Sequence, residues 1–122
     1  MAKDLPSRLE MKILSVLWTH GPSSVRTVME QIPDSKNRAY TTVLTILQRL
    51  EQKGLVNHKK DGSAYIYRAT KQMNTILRPI FKDLVNDYFQ GSQAEAIRFL
   101  LDETKVKPAE MKEVRKVVRD YK

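Results

Sequence analysis

Between Ala39 and Arg68 the chain reads AYTTVLTILQRLEQKGLVNHKKDGSAYIYR, and its hydrophobic period changes once within those residues. Up to Lys53 the apolar positions follow a helix. With Val43 at zero and about 100° per residue, Ala39, Val43, Ile46, Leu47 and Leu50 collect on one stripe. Thr41, Thr45 and Gln48 face the opposite way, bordered by Arg38, Thr42 and Arg49. Gly54 stops the helix. Beyond it, Leu55 to Lys60 and Ala64 to Ala69 carry strand-type residues on either side of Asp61-Gly62, a pair that tolerates positive φ and signals a hairpin. Few architectures admit a two-faced helix that runs directly into a basic hairpin.

The residues upstream narrow them further. Ser7-Arg8-Leu9-Glu10 has the spacing of a capping box and opens a first helix, with Leu9, Ile13, Val16 and Leu17 as its buried stripe. His20-Gly21-Pro22 ends that helix, because glycine permits a left-handed terminus and proline cannot extend it. Ser23 or Ser24 caps a second helix whose apolar face is Val25, Val28, Met29 and Ile32, with Pro33 as its stop. Residues 33–38 form a polar connector to the third helix, which starts near Ala39. Three helices and a two-stranded hairpin follow the order of a winged helix, the second and third helices making the helix-turn-helix. The expected fold is mainly α with a small β-hairpin wing. A winged helix-turn-helix DNA-binding domain would span residues 1–70, and a helical dimerisation region residues 71–122.

The dimerisation reading comes from the second part. Leu77, Phe81, Leu84 and Tyr88 recur at helical spacing, widened by Ile80 and Val85, until Gly91. Pro79 leaves two readings open, a helix that begins there or an earlier start that is kinked. Ser92-Gln93-Ala94-Glu95 repeats the capping-box spacing before Ala96, Ile97, Phe99, Leu100 and Leu101. Pro108 opens a last helix with Met111, Val114, Val118 and Tyr121 on one side. Such short amphipathic helices have too little core of their own, and a symmetric partner chain would supply the missing surface. The residues expected there are Leu77, Ile80, Phe81, Leu84, Val85, Tyr88, Ile97, Leu100, Met111, Val114 and Val118.

Composition removes whole classes of function. A chain of 122 residues leaves room for one ordinary domain plus an interaction element, not for a multidomain enzyme. No apolar run approaches the roughly 20 residues that span a bilayer, and MAKDLPSRLE lacks the apolar core of a signal peptide, so no membrane partner and a cytoplasmic location are expected. The absence of cysteine removes disulfides, thiolate metal sites and cysteine nucleophiles. Neither His20 nor His58 has metal-ligand neighbours at a usable spacing, and no nucleophile elbow, phosphate loop or His-carboxylate motif occurs. No metal, cofactor or catalytic residue is expected. Net charge is +8, favouring a polyanionic partner through counterion release. Residues 1–70 hold 11 Lys and Arg against 6 Asp and Glu, and residues 71–122 hold 11 against 8, so the helix and hairpin lie in the more basic part.

On the functional reading, the third helix enters the major groove of duplex DNA with Thr41, Thr45 and Gln48 near base edges and Arg38, Thr42 and Arg49 near phosphates. His58, Lys59 and Lys60 at the hairpin tip, with Arg68 on the returning strand, would grip the backbone as a wing. On the plain reading, the polar face is merely solvated and the lysines blunt an exposed edge strand. Tyr65 and Tyr67 share a face of their strand as packing residues, Trp18 packs in or near the core, and His20 interacts with a helix C-terminus.

The run AYTTVLTILQRLEQKGLV, preceded by LPSRLEMKILSVLW and GPSSVRTVME and followed by FQGSQAEAIRFLL and KPAEMKEVRKVV, closely resembles the BlaI/MecI family of penicillinase and methicillin-resistance repressors over nearly the whole chain. The resemblance implies a homodimeric winged-helix repressor on a palindromic operator, with intertwined C-terminal helices. It also implies an upstream membrane-bound sensor protease, which in some members triggers cleavage of the repressor at an Asn-Phe bond. Here Arg98-Phe99 stands at that place, a departure from the pattern, and the cysteine cluster of copper-responsive relatives is absent. The function expected is sequence-specific repression by a homodimer on a DNA operator. The alternatives are a winged-helix protein-interaction module and a nonspecific DNA-binding protein.

Overall fold

The computed structural model describes residues 6–33 and 38–122. The connector expected over residues 33–38 therefore lies mostly outside the described residues. In chain order the elements are α1 (Arg8–His20), β1 (Ser23–Ser24), α2 (Val25–Gln31), α3 (Tyr40–Gln52), β2 (Val56–Asp61), β3 (Ala64–Ala69), α4 (Met73–Tyr88), α5 (Gln93–Thr104) and α6 (Pro108–Asp120). They form two compact units, Met1–Arg78 and Pro79–Lys122. The division between them falls within α4, and Ile76 in the first turns of that helix is buried.

In the first unit, local chemistry sets the ends of the helices. Ser7 Oγ accepts from the Glu10 N–H at 3.2 Å, and the Ser7 N–H donates to Glu10 Oε1 at 2.7 Å, which completes the expected capping box. Ser24, not Ser23, caps α2, its hydroxyl accepting from the Thr27 N–H at 3.1 Å. At the end of α3, Gly54 takes a φ of 80°, its N–H donates to the Glu51 carbonyl at 3.0 Å, and the Leu55 N–H donates to the Leu50 carbonyl at 3.0 Å. That pair of bonds is a Schellman motif, and the buried Leu50 and Leu55 supply its apolar contact. Ile13, Leu14, Val25, Val28, Val43, Leu47 and Leu50 from the three helices form the core with Val56 and Tyr67 from the hairpin. Burying each aliphatic side chain contributes roughly 1.5–3 kcal/mol.

The hairpin is part of a three-stranded antiparallel sheet in the order β1-β3-β2. Ser23 pairs with Tyr67 and Ser24 with Ile66. Sequence pattern misses β1 because two serines carry no hydrophobic alternation. The turn also sits one residue later than expected: Asp61 pairs with Ala64, leaving Gly62-Ser63 as the two-residue loop with Gly62 at a φ of 63°.

Of the two readings left by Pro79, α4 adopts the earlier start, with the proline inside the helix and no N–H for the Thr75 carbonyl. In the second unit, the Ser92 hydroxyl accepts from the Glu95 N–H at 3.1 Å, while the Glu95 carboxylate lies 3.7 Å from Arg98 Nε. Phe89 meets Phe99 edge-on at 5.5 Å. None of residues 79–122 is buried. Among the described residues, no helix is long and apolar enough to cross a membrane.

Candidate nucleic-acid interface

The buried side of α3 fixes what its other side presents. Val43, Ile46, Leu47 and Leu50 face the core, so Thr41, Thr42, Thr45, Gln48 and Arg49 are all exposed. A shallow depression lined by Thr41, Thr42, Thr45, Ile46 and Arg49 joins two of the expected base readers to two of the expected phosphate contacts, and no carboxylate lines it. Gln48 continues the exposed face, and Arg38 is half-buried just before the helix. Ala39 departs from its expected place in the buried stripe. It is the N-cap residue, in extended conformation and exposed, and so off the helical wheel. Tyr40, the first residue of α3, is also exposed.

The end of α3 is also tied to α1 by a side chain that the sequence marks only as a cap. Glu10 on α1 is 1% exposed, and its Oε1 accepts from Lys53 Nζ, at the end of α3, at 2.8 Å. Burial pushes the Glu10 carboxyl up. The bonds from Lys53 and the Ser7 N–H, with the charges of Lys53 and Arg49, outweigh burial and hold it below its ordinary value. Its Oε2 has no hydrogen-bond partner among the described residues. At the far end of α1, Trp18 Nε1 donates to the Lys71 carbonyl at 2.9 Å, anchoring the segment that leaves the wing.

In the hairpin the expected cations separate. Opposed residues of an antiparallel pair share a face, so His58 and Lys60 lie with Tyr67 and Tyr65, whereas Lys59 and Arg68 lie with Ile66 and Asn57. Arg68 Nε donates to Asn57 Oδ1 at 3.0 Å. His58 is not at the tip, because β2 continues through Asp61. Its Nδ1 lies 2.7 and 3.0 Å from the two carboxylate oxygens of Glu51, and since a carboxylate only accepts, Nδ1 carries the proton. The ring meets Tyr65 edge-on at 5.2 Å and Tyr67 at 5.1 Å. Tyr67 is buried and Tyr65 exposed. Burial, then the charge of Glu51, pushes the Tyr67 phenol up.

The residues expected at a dimer interface belong to α4, α5 and α6. Phe81, Leu84, Tyr88, Ile97, Leu100 and Val118 are exposed, while Leu77, Ile80, Val85, Met111 and Val114 are half-buried. Leu77 falls in the first unit. Phe99, Val117 and Tyr121 add exposed apolar surface outside that set. Among the described residues, no group of three or more His, Asp or Glu gathers to hold a metal.

The chain matches the family model described as penicillinase repressor over residues 6–120. It is 21% identical over 116 residues to the penicillinase repressor of Bacillus licheniformis, covering 95% of this chain and 91% of that protein. It is 33% identical over 91 residues to the transcriptional regulator BlaI of Mycobacterium tuberculosis, covering 73% and 66%. Among solved structures, the transcriptional regulator Tm0710 from Thermotoga maritima aligns over 95% of this chain and 79% of that one. Its TM-score is 0.51 at 18% identity, a likeness of fold.

Proposed function

The chain belongs to the penicillinase repressor family, and from that membership and the face presented by α3 we propose that it represses transcription as a homodimer bound to a palindromic DNA operator. The observation that carries the proposal is the exposed row of Thr41, Thr45 and Gln48, backed by a rigid core and bordered by Arg49. Threonine offers a hydroxyl and a methyl to base edges, and glutamine pairs bidentately with adenine. Arg38, Thr42 and Arg49 take adjacent phosphates, while Lys59, Lys60 and Arg68 let the wing straddle the backbone, adding affinity without sequence information. Occupancy of the operator blocks transcription. Family members are repressors and not enzymes, and on this reading the chain works in the cytoplasm, where its DNA is.

The homodimer is supported by residues 79–122, where no side chain is buried and large apolar residues remain exposed. A second copy covering them would place two α3 helices in successive major grooves, about 34 Å apart or a multiple of it. No sensor protease is assigned, since the Asn-Phe pair that the family resemblance implies is Arg98-Phe99 here, and both residues lie inside α5.

Footprinting across genomic fragments at moderate salt tests the proposal. A protected two-fold symmetric sequence is expected. Uniform protection would indicate a nonspecific DNA-binding protein, and no protection a protein-interaction module. Either result would overturn it.

A further inference from the structure

Glu51 lies in the last turn of α3, on the helix that presents Thr41, Thr45 and Gln48, yet its carboxylate turns to the hairpin. There it accepts from His58 Nδ1 through both oxygens, at 2.7 and 3.0 Å. The His58 ring, on β2, is walled by Tyr65 and Tyr67 of β3 at 5.2 and 5.1 Å. One imidazole therefore bears on both strands of the wing and on the recognition helix. Lys59 adjoins it, and Lys60 follows two residues on, on the same face. A carboxylate close to a surface that meets phosphate costs affinity through repulsion, so electrostatics alone disfavours an acidic residue here.

We infer that Glu51 is a positioning residue for DNA engagement, holding His58, and through it the base of the wing, at a fixed angle to α3. Lys59 and Lys60 then meet the backbone while α3 occupies the groove. The inference rests on the DNA-binding reading and gives His58 a role in aiming the wing instead of contacting phosphate. Both side chains of the pair are about a third exposed, 36% and 32%, so the pair contributes little to fold stability and its loss leaves the chain folded.

The test is fluorescence anisotropy with a labelled duplex of mixed sequence, titrated over a range of salt concentrations, with circular dichroism confirming the fold of each variant. Lys59→Ala with Lys60→Ala should weaken binding and lower the salt slope by about 1 for each phosphate that is no longer neutralised. Glu51→Ala should weaken binding roughly tenfold and lower the slope too, as if one or two phosphates went without a cation, although the chain has become more positive. Glu51→Gln should fall between, because an amide oxygen still accepts one bond from Nδ1. Adding Glu51→Ala to the lysine pair should weaken binding no further. If Glu51→Ala instead tightens binding, leaves the slope unchanged, or adds its full effect to that of the lysine variants, the positioning role is overturned while the DNA reading stands. If the lysine substitutions themselves leave affinity and slope unchanged, the DNA reading fails and the inference with it.

Discussion

One buried carboxylate ties the end of α3 to α1. Glu10 is a capping residue in the local sequence, legible from its three-residue spacing to Ser7, but its second partner, Lys53, lies 43 residues away and no local pattern signals it. The same holds for Glu51 and His58, whose meeting depends on where the strand begins after Gly54. Since Glu10 is held below its ordinary value of 4.5, its stabilising contribution is fully present above that pH and is lost as pH falls through the lower folded value. Lys53→Met leaves burial less opposed and pushes the carboxyl up. The substitution should cost about 2–3 kcal/mol at pH 7, less than the roughly 3–5 kcal/mol of a fully buried pair because the Lys53 side chain is 35% exposed. The deficit should shrink at pH 4, where the unpaired carboxyl takes up a proton. Urea denaturation at both pH values checks this, and an equal loss at each would rule it out.

At the scale of elements, most of what carries a period or a cap was readable, Ala39 at the N-cap of α3 being an exception. Ser7, Gly21 and Gly54 mark the helix ends, and the stripe from Val43 to Leu50 orients α3. What lacks a period was not. The two serines of β1 join the sheet only because β3 offers an edge, and the hairpin register moved by one residue because Asp61 pairs with Ala64. That register separates Lys59 from Lys60, which adjacency in sequence places together. On α4, Phe81 and Leu84 follow the expected stripe and are exposed in the single chain. Leu84→Asp should therefore leave the monomer folded while placing a charge in an apolar interface, giving a monomer in sedimentation. An unchanged dimer mass would refute the assignment of this face.

For the whole molecule, a division into two parts was legible, while the place where the compact units meet was not. The short helices past Thr70 look unable to bury a core, and residues 79–122 indeed bury no side chain. The first compact unit runs to Arg78 and includes the buried Ile76, a matter of tertiary packing that helical period alone does not reveal. A net charge of +8 favours DNA without telling one sequence from another, so the proposed function assigns specificity to α3. In the proposed homodimer two weak half-site contacts would act together, so that base reading by Thr45 and Gln48 would be measurable as a ratio of affinities. That ratio is best measured with Thr45→Ala plus Gln48→Ala, comparing the protected operator fragment with a mixed-sequence duplex of equal length at one salt concentration. Base reading by α3 predicts a loss of about 10- to 100-fold on the operator and none on the mixed duplex. Equal losses on both, or no loss on either, would contradict it.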